Sequence, residues 1–350
     1  MHRHATNFFP RHPGDRRRRA SPRLGVFAAA LFALVLAACT PGEPPFRVGL
    51  PPWVPAQFAL IAGELQPWND GEVQFVEYTS PIELARHFRE GNLDAAALPL
   101  DFAPYWGASI PSLDVVFVLD VSQGADDLVA KPDSGDLASL LHRRIGLEAS
   151  PLAAHLLLRA LKAGGLGVRD VETVSLDTED QAEAFTSGKV DAVVTREPDR
   201  TRLLAGGASS LYDSSRIPGQ VVDVLFVRPG AVTDRADVLH KLVEGWLTAY
   251  ARLEQDRPAT IAQLASGLSL EVGSVEHALR GVRLGDLAIN RQMLSGPSPA
   301  LGSTLGEIQA MAVGAGLLPP NPPGRVRFHD SFLPRIVSRP LAAASGAAAR

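Results

Sequence analysis

Short apolar runs that alternate with polar residues are interleaved, along most of the chain, with longer stretches of helical spacing. Phe46–Leu50 predicts a strand and Gln57–Leu65 (QFALIAGEL) a helix. Val73–Tyr78 (VQFVEY) alternates as a half-buried strand does, Pro81–Glu90 is amphipathic at helical spacing, and Ala95–Leu98 is a short buried strand. This order predicts parallel strands joined by helices that cover both sheet faces. Two further apolar runs, Val115–Val121 (VVFVLDV) and Val221–Val227 (VVDVLFV), predict strands. Val238–Gln255 sets Leu239, Leu242, Val243, Trp246 and Tyr250 on one helical face, and further helical segments continue to Leu318.

The pattern repeats, and residue identities repeat with it. Arg47-Val48-Gly49-Leu50 returns as Arg144-Ile145-Gly146-Leu147, an offset of 97 positions. Gly91-Asn92-Leu93-Asp94-Ala95-Ala96 returns at the same offset as Gly188-Lys189-Val190-Asp191-Ala192-Val193. Between these anchors each half carries a strand, Val73–Tyr78 or Val171–Leu176, then a polar turn and a helix. The reading is two similar α/β lobes, each with a Gly-x-x-Asp-Ala turn feeding a buried strand. Gly91 and Gly188 are expected to supply the left-handed cap at a helix end, a structural role. The two apolar strands at Val115–Val121 and Val221–Val227 stand where a pair of crossings between lobes would be needed.

Composition narrows the classes. The 350 residues exceed one typical core, and the net charge of −4 disfavours a nucleic-acid partner for the body. Positive charge gathers instead near the start, at Arg16, Arg17, Arg18, Arg19 and Arg23. An apolar run, Leu24–Ala37, follows; it has the length of a signal-peptide core and falls short of the roughly 20 residues of a membrane span. It ends at Leu36-Ala37-Ala38-Cys39, which resembles the bacterial lipobox, so Cys39 is the expected lipidation site. Cys39 is the sole cysteine, which rules out an internal disulfide and an all-cysteine metal site. Thr40–Pro45 reads as a tether, and the tail after Pro340 as low-complexity sequence.

In open α/β sheets, ligands gather outside the carboxyl ends of the strands, near helix N-termini. This nominates Thr79 and Ser80 before Pro81, with Glu83 completing a capping box, and Ser150 before Pro151. Each serine either caps its helix or shares the exposed N–H groups with a ligand. The loops after the repeated turns bring in Asp101, Arg196 and Glu197, which could hold the two ends of a zwitterion; alternatively, Arg196 and Glu197 form a solvated surface pair. Trp53, at the end of the first strand, could cover a ligand or pack inside its lobe. Ser122 and Gly124 are hinge candidates, and Asp126 beside them could hold the hinge or touch the ligand. Catalytic patterns are missing: there is no His-x-x-x-His pair, no Gly-x-Ser-x-Gly elbow and no phosphate loop. No cofactor and no metal site is expected.

These motifs resemble the periplasmic substrate-binding proteins of the taurine, aliphatic sulfonate and nitrate class, a superfamily that also includes thiamine-pyrimidine-synthase-like proteins. The similar stretches are Phe46–Leu50 with Trp53, Gly91–Ala96, Asp120–Asp126 and, most specifically, Gly188–Pro198. The resemblance implies a two-lobed periplasmic-binding fold of type II, each lobe a mostly parallel sheet flanked by helices with the ligand between them. It also implies docking on an ABC permease with its ATPase. Departures are Arg196, where the family has a tryptophan before Glu-Pro, and Pro51-Pro52 in place of a glycine-rich turn. The enzyme branch relies on a cysteine-rich segment, and no cysteine follows Cys39.

The expected layout is a signal peptide over 1–39, a tether over 40–45, lobe I over 46–122 and 224–334, lobe II over 123–223, and a disordered tail over 335–350. The expected protein is monomeric and non-enzymatic. It is anchored by lipid on the periplasmic or outer face of a bacterial membrane and captures a small polar solute, zwitterionic or heterocyclic, for import. A ligand sensor or accessory on the same fold is the alternative, and a pyrimidine-synthase-like enzyme the minor one.

Overall fold

The strand order follows from where the chain crosses between its two sheets. The computed structural model describes residues 43–65 and 71–335; the export segment, Cys39 and the tail beyond Arg335 lie outside the described residues. The first part of the chain forms β1 (Phe46–Leu50), α1 (Val54–Leu65), β2 (Val73–Glu77), α2 (Pro81–Glu90), β3 (Ala95–Pro99), α3 (Ala103–Trp106) and β4 (Ser112–Ser122). Next come β5 (Asp126–Ala130), β6 (Arg144–Leu147), α4 (Pro151–Ala163), β7 (Glu172–Ser175), α5 (Gln181–Thr186), β8 (Ala192–Arg196), α6 (Asp199–Ala205) and β9 (Ser209–Asp213). The last part holds β10 (Val222–Val227), α7 (Ala231–Asp234), α8 (Ala236–Gln255), α9 (Arg257–Leu268), α10 (Val272–Arg280), β11 (Val282–Leu284), α11 (Leu287–Leu294), α12 (Ala300–Gly314) and β12 (Arg325–Phe328).

Lobe I is built on a sheet of order β11-β4-β10-β3-β1-β2, with β12 added in parallel against β4; lobe II is built on β7-β6-β8-β5-β9. The repeat read from the sequence is a repeat of register. Val48 lies opposite Ala95 in the parallel pair β1–β3, and Ile145 opposite Ala192 in β6–β8. The fourth strand of each lobe is antiparallel and comes from beyond the crossing: β5 pairs with β8, and β10 pairs with β3. Two-lobed α/β architecture, expected from the sequence, is what the chain adopts.

Local chemistry sets the repeated turns. Gly91 and Gly188 have φ of +87° and +77°, the left-handed region that a side chain strains. Asp94 and Asp191 then fold back, accepting from the Arg47 and Arg144 backbone N–H groups at 2.8 and 3.0 Å. Ser80 caps α2 by accepting from the Ile82 N–H at 3.2 Å, while Glu83, the expected box partner, stands 3.8 Å from Arg86. The first helix begins at Val54, three residues before the periodicity suggested, because the buried backbone after Pro52 turns at once into α1.

Alternate residues of each central strand enter opposite cores, as a period of two requires. Ala95 and Ala97 face a core with α1 and α8, where Phe58, Trp246 and Tyr250 are buried. Leu98 and Ala96 face a second core with α2, Trp106 and α12. In lobe II, Ala192 and Val194 pack under α4, and Val193 packs on Phe185 of α5 and Leu203 of α6. The described residues from Pro45 to Arg335 form one compact unit. No helix among the described residues is long and apolar enough to cross a membrane.

Candidate ligand site between the lobes

The carboxyl end of β3 in lobe I faces the carboxyl end of β8 in lobe II, and the chain crosses beside them twice. The first crossing is the three residues between β4 and β5, where Gly124 has a φ of +109°. The second runs from Ser214 to β10. A relay of hydrogen bonds joins them: the Gly124 N–H donates to Ser214 Oγ at 2.7 Å, Ser214 and Ser122 hydroxyls meet at 2.7 Å, and Ser122 Oγ donates to Asp126 Oδ2 at 2.7 Å. Because the Ser122 proton points at the carboxylate, Ser214 is the donor between the hydroxyls.

Arg196, at the end of β8, is the cation of the centre. Its guanidinium lies 5.8 Å from the centroid of the Trp53 ring in lobe I and 3.7 Å from Asp126 Oδ1. Burial works against its charge, but Asp126, Glu148, Asp223 and Asp120 outweigh burial and hold its pKa above the ordinary arginine value. The Trp53 indole N–H donates in turn to Asp120 Oδ2 at 3.2 Å.

Asp120 and Asp223 stand directly opposite one another on β4 and β10. Burial, and then the charge of its partner, drives the Asp120 carboxyl well above the usual carboxylate range. Asp223 is pushed up to about 7, chiefly by burial, and a hydrogen bond from Asp120 links the two carboxyls. Two carboxyls this close share one proton at neutral pH, as like charges out of water cannot both persist. Asp126 is raised as well, by burial first.

A second contact crosses the cleft farther out. Asp101, just after β3, meets His155 Nδ1 of α4 at 2.6 Å, with both side chains buried. Arg159, one turn along α4, reaches Glu307 of α12 at 3.0 Å.

Of the residues nominated from sequence, the structure gathers Trp53, Asp126 and Arg196 into one cluster, with Ser122 and Gly124 beside it and Asp101 at the α4 contact. Ser150 caps α4, accepting from the Ala153 N–H at 3.3 Å, and lines the space beside Arg196. Thr79 is exposed, Ser80 is occupied in capping α2, and neither lines that space. Glu197 is buried but turns into lobe II, where Thr201 Oγ1 donates to it at 2.9 Å and Arg200 approaches at 3.4 Å.

Sequence reasoning missed Asp120, Asp223, His155 and Ser214. A signal for Asp223 was present: Gln123, Asp126 and Leu128 return at the same offset of 97 as Gln220, Asp223 and Leu225. No pattern in the sequence brings His155 to Asp101. Among the described residues, no group of three or more His, Cys, Asp or Glu side chains is disposed to hold a metal ion.

Two lobes with exchanged fourth strands, two crossings and a polar cleft define a periplasmic-binding-protein fold. The solved structure of the periplasmic aliphatic sulphonate binding protein from Escherichia coli is similar over 81% of this chain and 96% of that one, with a TM-score of 0.64 and 18% identity. The family model described as NMT1-like matches residues 40–269, and the chain belongs to that family. A curated protein of Escherichia coli (strain K12), named for binding aliphatic sulfonates, is 24% identical over 215 residues, 58% of this chain. That match spans 64% of the relative's own length, just under two thirds. The fold also serves catalysis: the desulfurization enzyme DSZB is similar over 80% of this chain and 94% of that one, at a TM-score of 0.56 and 19% identity.

Proposed function

We propose that this protein is the solute-binding component of an ABC importer, held to the outer face of a bacterial membrane through lipid on Cys39, and that it closes its lobes over one small polar solute. The observation that supports this most directly is the interlobe centre, where Arg196 of lobe II rests on Trp53 of lobe I among Asp120, Asp126 and Asp223. Both lobes contribute to this group of charges, so a solute lodged there touches both. A solute bridging the lobes favours the closed state by its differential contacts, with Ser122 and Gly124 taking up the rotation.

Relatives in sequence and in fold are named for binding aliphatic sulfonates, and permease and ATPase partners follow by analogy.

The test is a thermal-shift screen of the full chain against sulfonates, nitrate, bicarbonate, amino acids, polyamines, purines and pyrimidines. A ligand at a thousandfold its dissociation constant adds about 4 kcal/mol of stability. No shift from any class, in protein shown free of co-purified solute, would overturn the proposal. For the anchor, Cys39→Ser should move the protein from the membrane fraction to the soluble one.

A further inference from the structure

Two spaces adjoin at the start of α4. The smaller, about 20 Å³, is lined by Asp126, Glu148, Ser150, Gln181, Thr195 and Arg196, and is large enough for one ammonium-sized group. The larger, about 640 Å³, shares Glu148 and Ser150 with it and passes between the lobes, over Phe102, Tyr105 and Trp106 on one side and Leu147, Leu157 and Leu158 on the other.

The smaller space has unmet hydrogen-bond demand of one kind. Gln181 and Thr195 are 3% and 5% exposed, yet Gln181 Oε1 and Thr195 Oγ1 have no hydrogen-bond partner among the described residues. Nearby in the cleft, Asp101 Oδ2 and Asp223 Oδ1 are likewise buried and unpartnered. The Gln181 and carboxyl oxygens accept, and the Thr195 hydroxyl can accept or donate, so a donor can satisfy all four. Buried acceptors left alone are costly, which makes the demand a determinant of what binds.

Charge points the same way. Asp126 and Glu148 face a single cation, Arg196, which already lies beside Asp126 and on the Trp53 ring. The Asp120–Asp223 pair adds further negative charge behind it. A sulfonate or carboxylate here would meet net negative charge and satisfy none of the acceptors. The α4 N-terminus offers an anion little in return, because Ser150 already accepts from the Ala153 N–H. Arg86 and Arg89, both exposed, line the larger space and not the smaller one.

We infer that the cleft selects an organic amine: an ammonium or amidinium head held by Glu148, Gln181 and Thr195, on an apolar, aromatic-sized body lying in the groove. This rests on the solute-binding reading and sharpens it, because it separates the chain from relatives named for sulfonates.

The experiment is calorimetric titration of the full chain at pH 7 with a matched pair, benzylamine and benzenesulfonate. Benzylamine should bind at least tenfold more tightly. Along methylamine, propylamine and butylamine, affinity should rise about fourfold per methylene if the body enters the apolar groove. Glu148→Gln, at a partly exposed position whose one hydrogen bond is a 3.4 Å contact from Thr178, should weaken benzylamine binding at least tenfold while leaving the melting temperature unchanged. Tighter binding of benzenesulfonate, or a Glu148→Gln variant that binds benzylamine normally, overturns the inference. Silence of the amines with a hit elsewhere in the wider solute screen also overturns it, and leaves the binding-protein reading standing. Silence from every class overturns both.

Discussion

The two lobes share one plan and fill it differently. Where lobe I ends its first strand with Trp53, lobe II has Ser150; where lobe II opens its inserted strand with Asp126, lobe I has Asp223. Thus one lobe offers an aromatic face and the other a helix cap, while both turn a carboxylate toward the cleft from the same strand position. The partners differ as well. Asp126 is held by Ser122 and Arg196, whereas Asp223 is bonded to another acid, Asp120, and feels Arg196 through its charge alone. A duplicated scaffold therefore fixes where chemistry can sit, and later substitution decides its sign.

Buried aspartates away from the cleft sharpen the contrast most. In lobe I, Asp114 accepts two bonds of 2.7 Å from Arg327 of β12 and one of 2.7 Å from His329. Burial alone would raise this carboxyl, but the bonds from His329 and Arg327 outweigh it and hold it below the usual range. In lobe II, Asp127 accepts from Arg200 at 2.9 Å and Ser210 at 3.0 Å, and burial wins, so its pKa is raised. Arg327→Ala should cost about 3 kcal/mol at pH 7 in urea unfolding, since it leaves a charged, buried carboxylate short of partners. Arg200→Ala should cost roughly half as much, because Asp127 takes up a proton instead. The Asp114 contribution is present above the unfolded carboxylate value and is lost as pH falls through its lowered folded value, so the Arg327→Ala penalty should shrink in acid. Equal penalties would break the contrast.

The paired cleft acids give an effect of comparable size, spread over a range of pH. Asp223 has its folded pKa raised to about 7, so the native state binds an extra proton between the unfolded carboxylate value and that pH. Stability of the ligand-free protein should then fall as pH rises from about 4 to about 7, by on the order of 4 kcal/mol, and level off above. Asp223→Asn, an uncharged isostere that can still hydrogen-bond Asp120, should remove most of that slope and raise the melting temperature at pH 8. Asp126→Asn, whose carboxyl keeps Ser122 and Arg196, should leave most of it in place. A flat profile in the wild type would contradict the shared proton.

The smallest effect lies at the repeated turns. Arg144 donates through its side chain to both oxygens of Asp191 and to the Gly188 carbonyl, while the described bond from Arg47 to Asp94 is through the backbone alone. In lobe I the helix-end carbonyl is served from elsewhere: Arg228, just past β10, donates to Phe88 O at 2.6 Å. Arg144→Ala should lower the melting temperature slightly, given that the pair is solvated, and Arg47→Ala should lower it less. A reversed order in thermal unfolding would mean that the lobes depend on these turns in some other way.

Much of the frame was legible because it is local. Glycine at a helix end, an aspartate three residues on and a run of small apolar residues are read directly at 91–96 and 188–193, and they fix the register of Val48 on Ala95 and Ile145 on Ala192. The site was legible only where a strand end or helix start marks it, as at Trp53, Ser150 and Arg196. Asp120 and Asp223 sit inside apolar runs, where a lone acid looks like an interruption until β4 and β10 are laid side by side. Glu197 shows the opposite failure: its place at the strand end suggested the cleft, but a threonine one helical turn later draws its carboxylate back into the lobe. Burial and distant pairing decide such cases, and neither has a sequence period.

The exchange of fourth strands also sets an order on the ribosome. Lobe II is contiguous from β5 to β9, so every strand of its sheet has been made once Asp213 emerges. Lobe I begins earlier yet finishes later: β3 carries an open edge until β10 is translated, and β4 waits for β11 and β12 as well. An unpaired edge of this kind is a template for wrong partners. The amino-terminal lobe, first to be synthesised, is thus the last to have all the strands of its sheet.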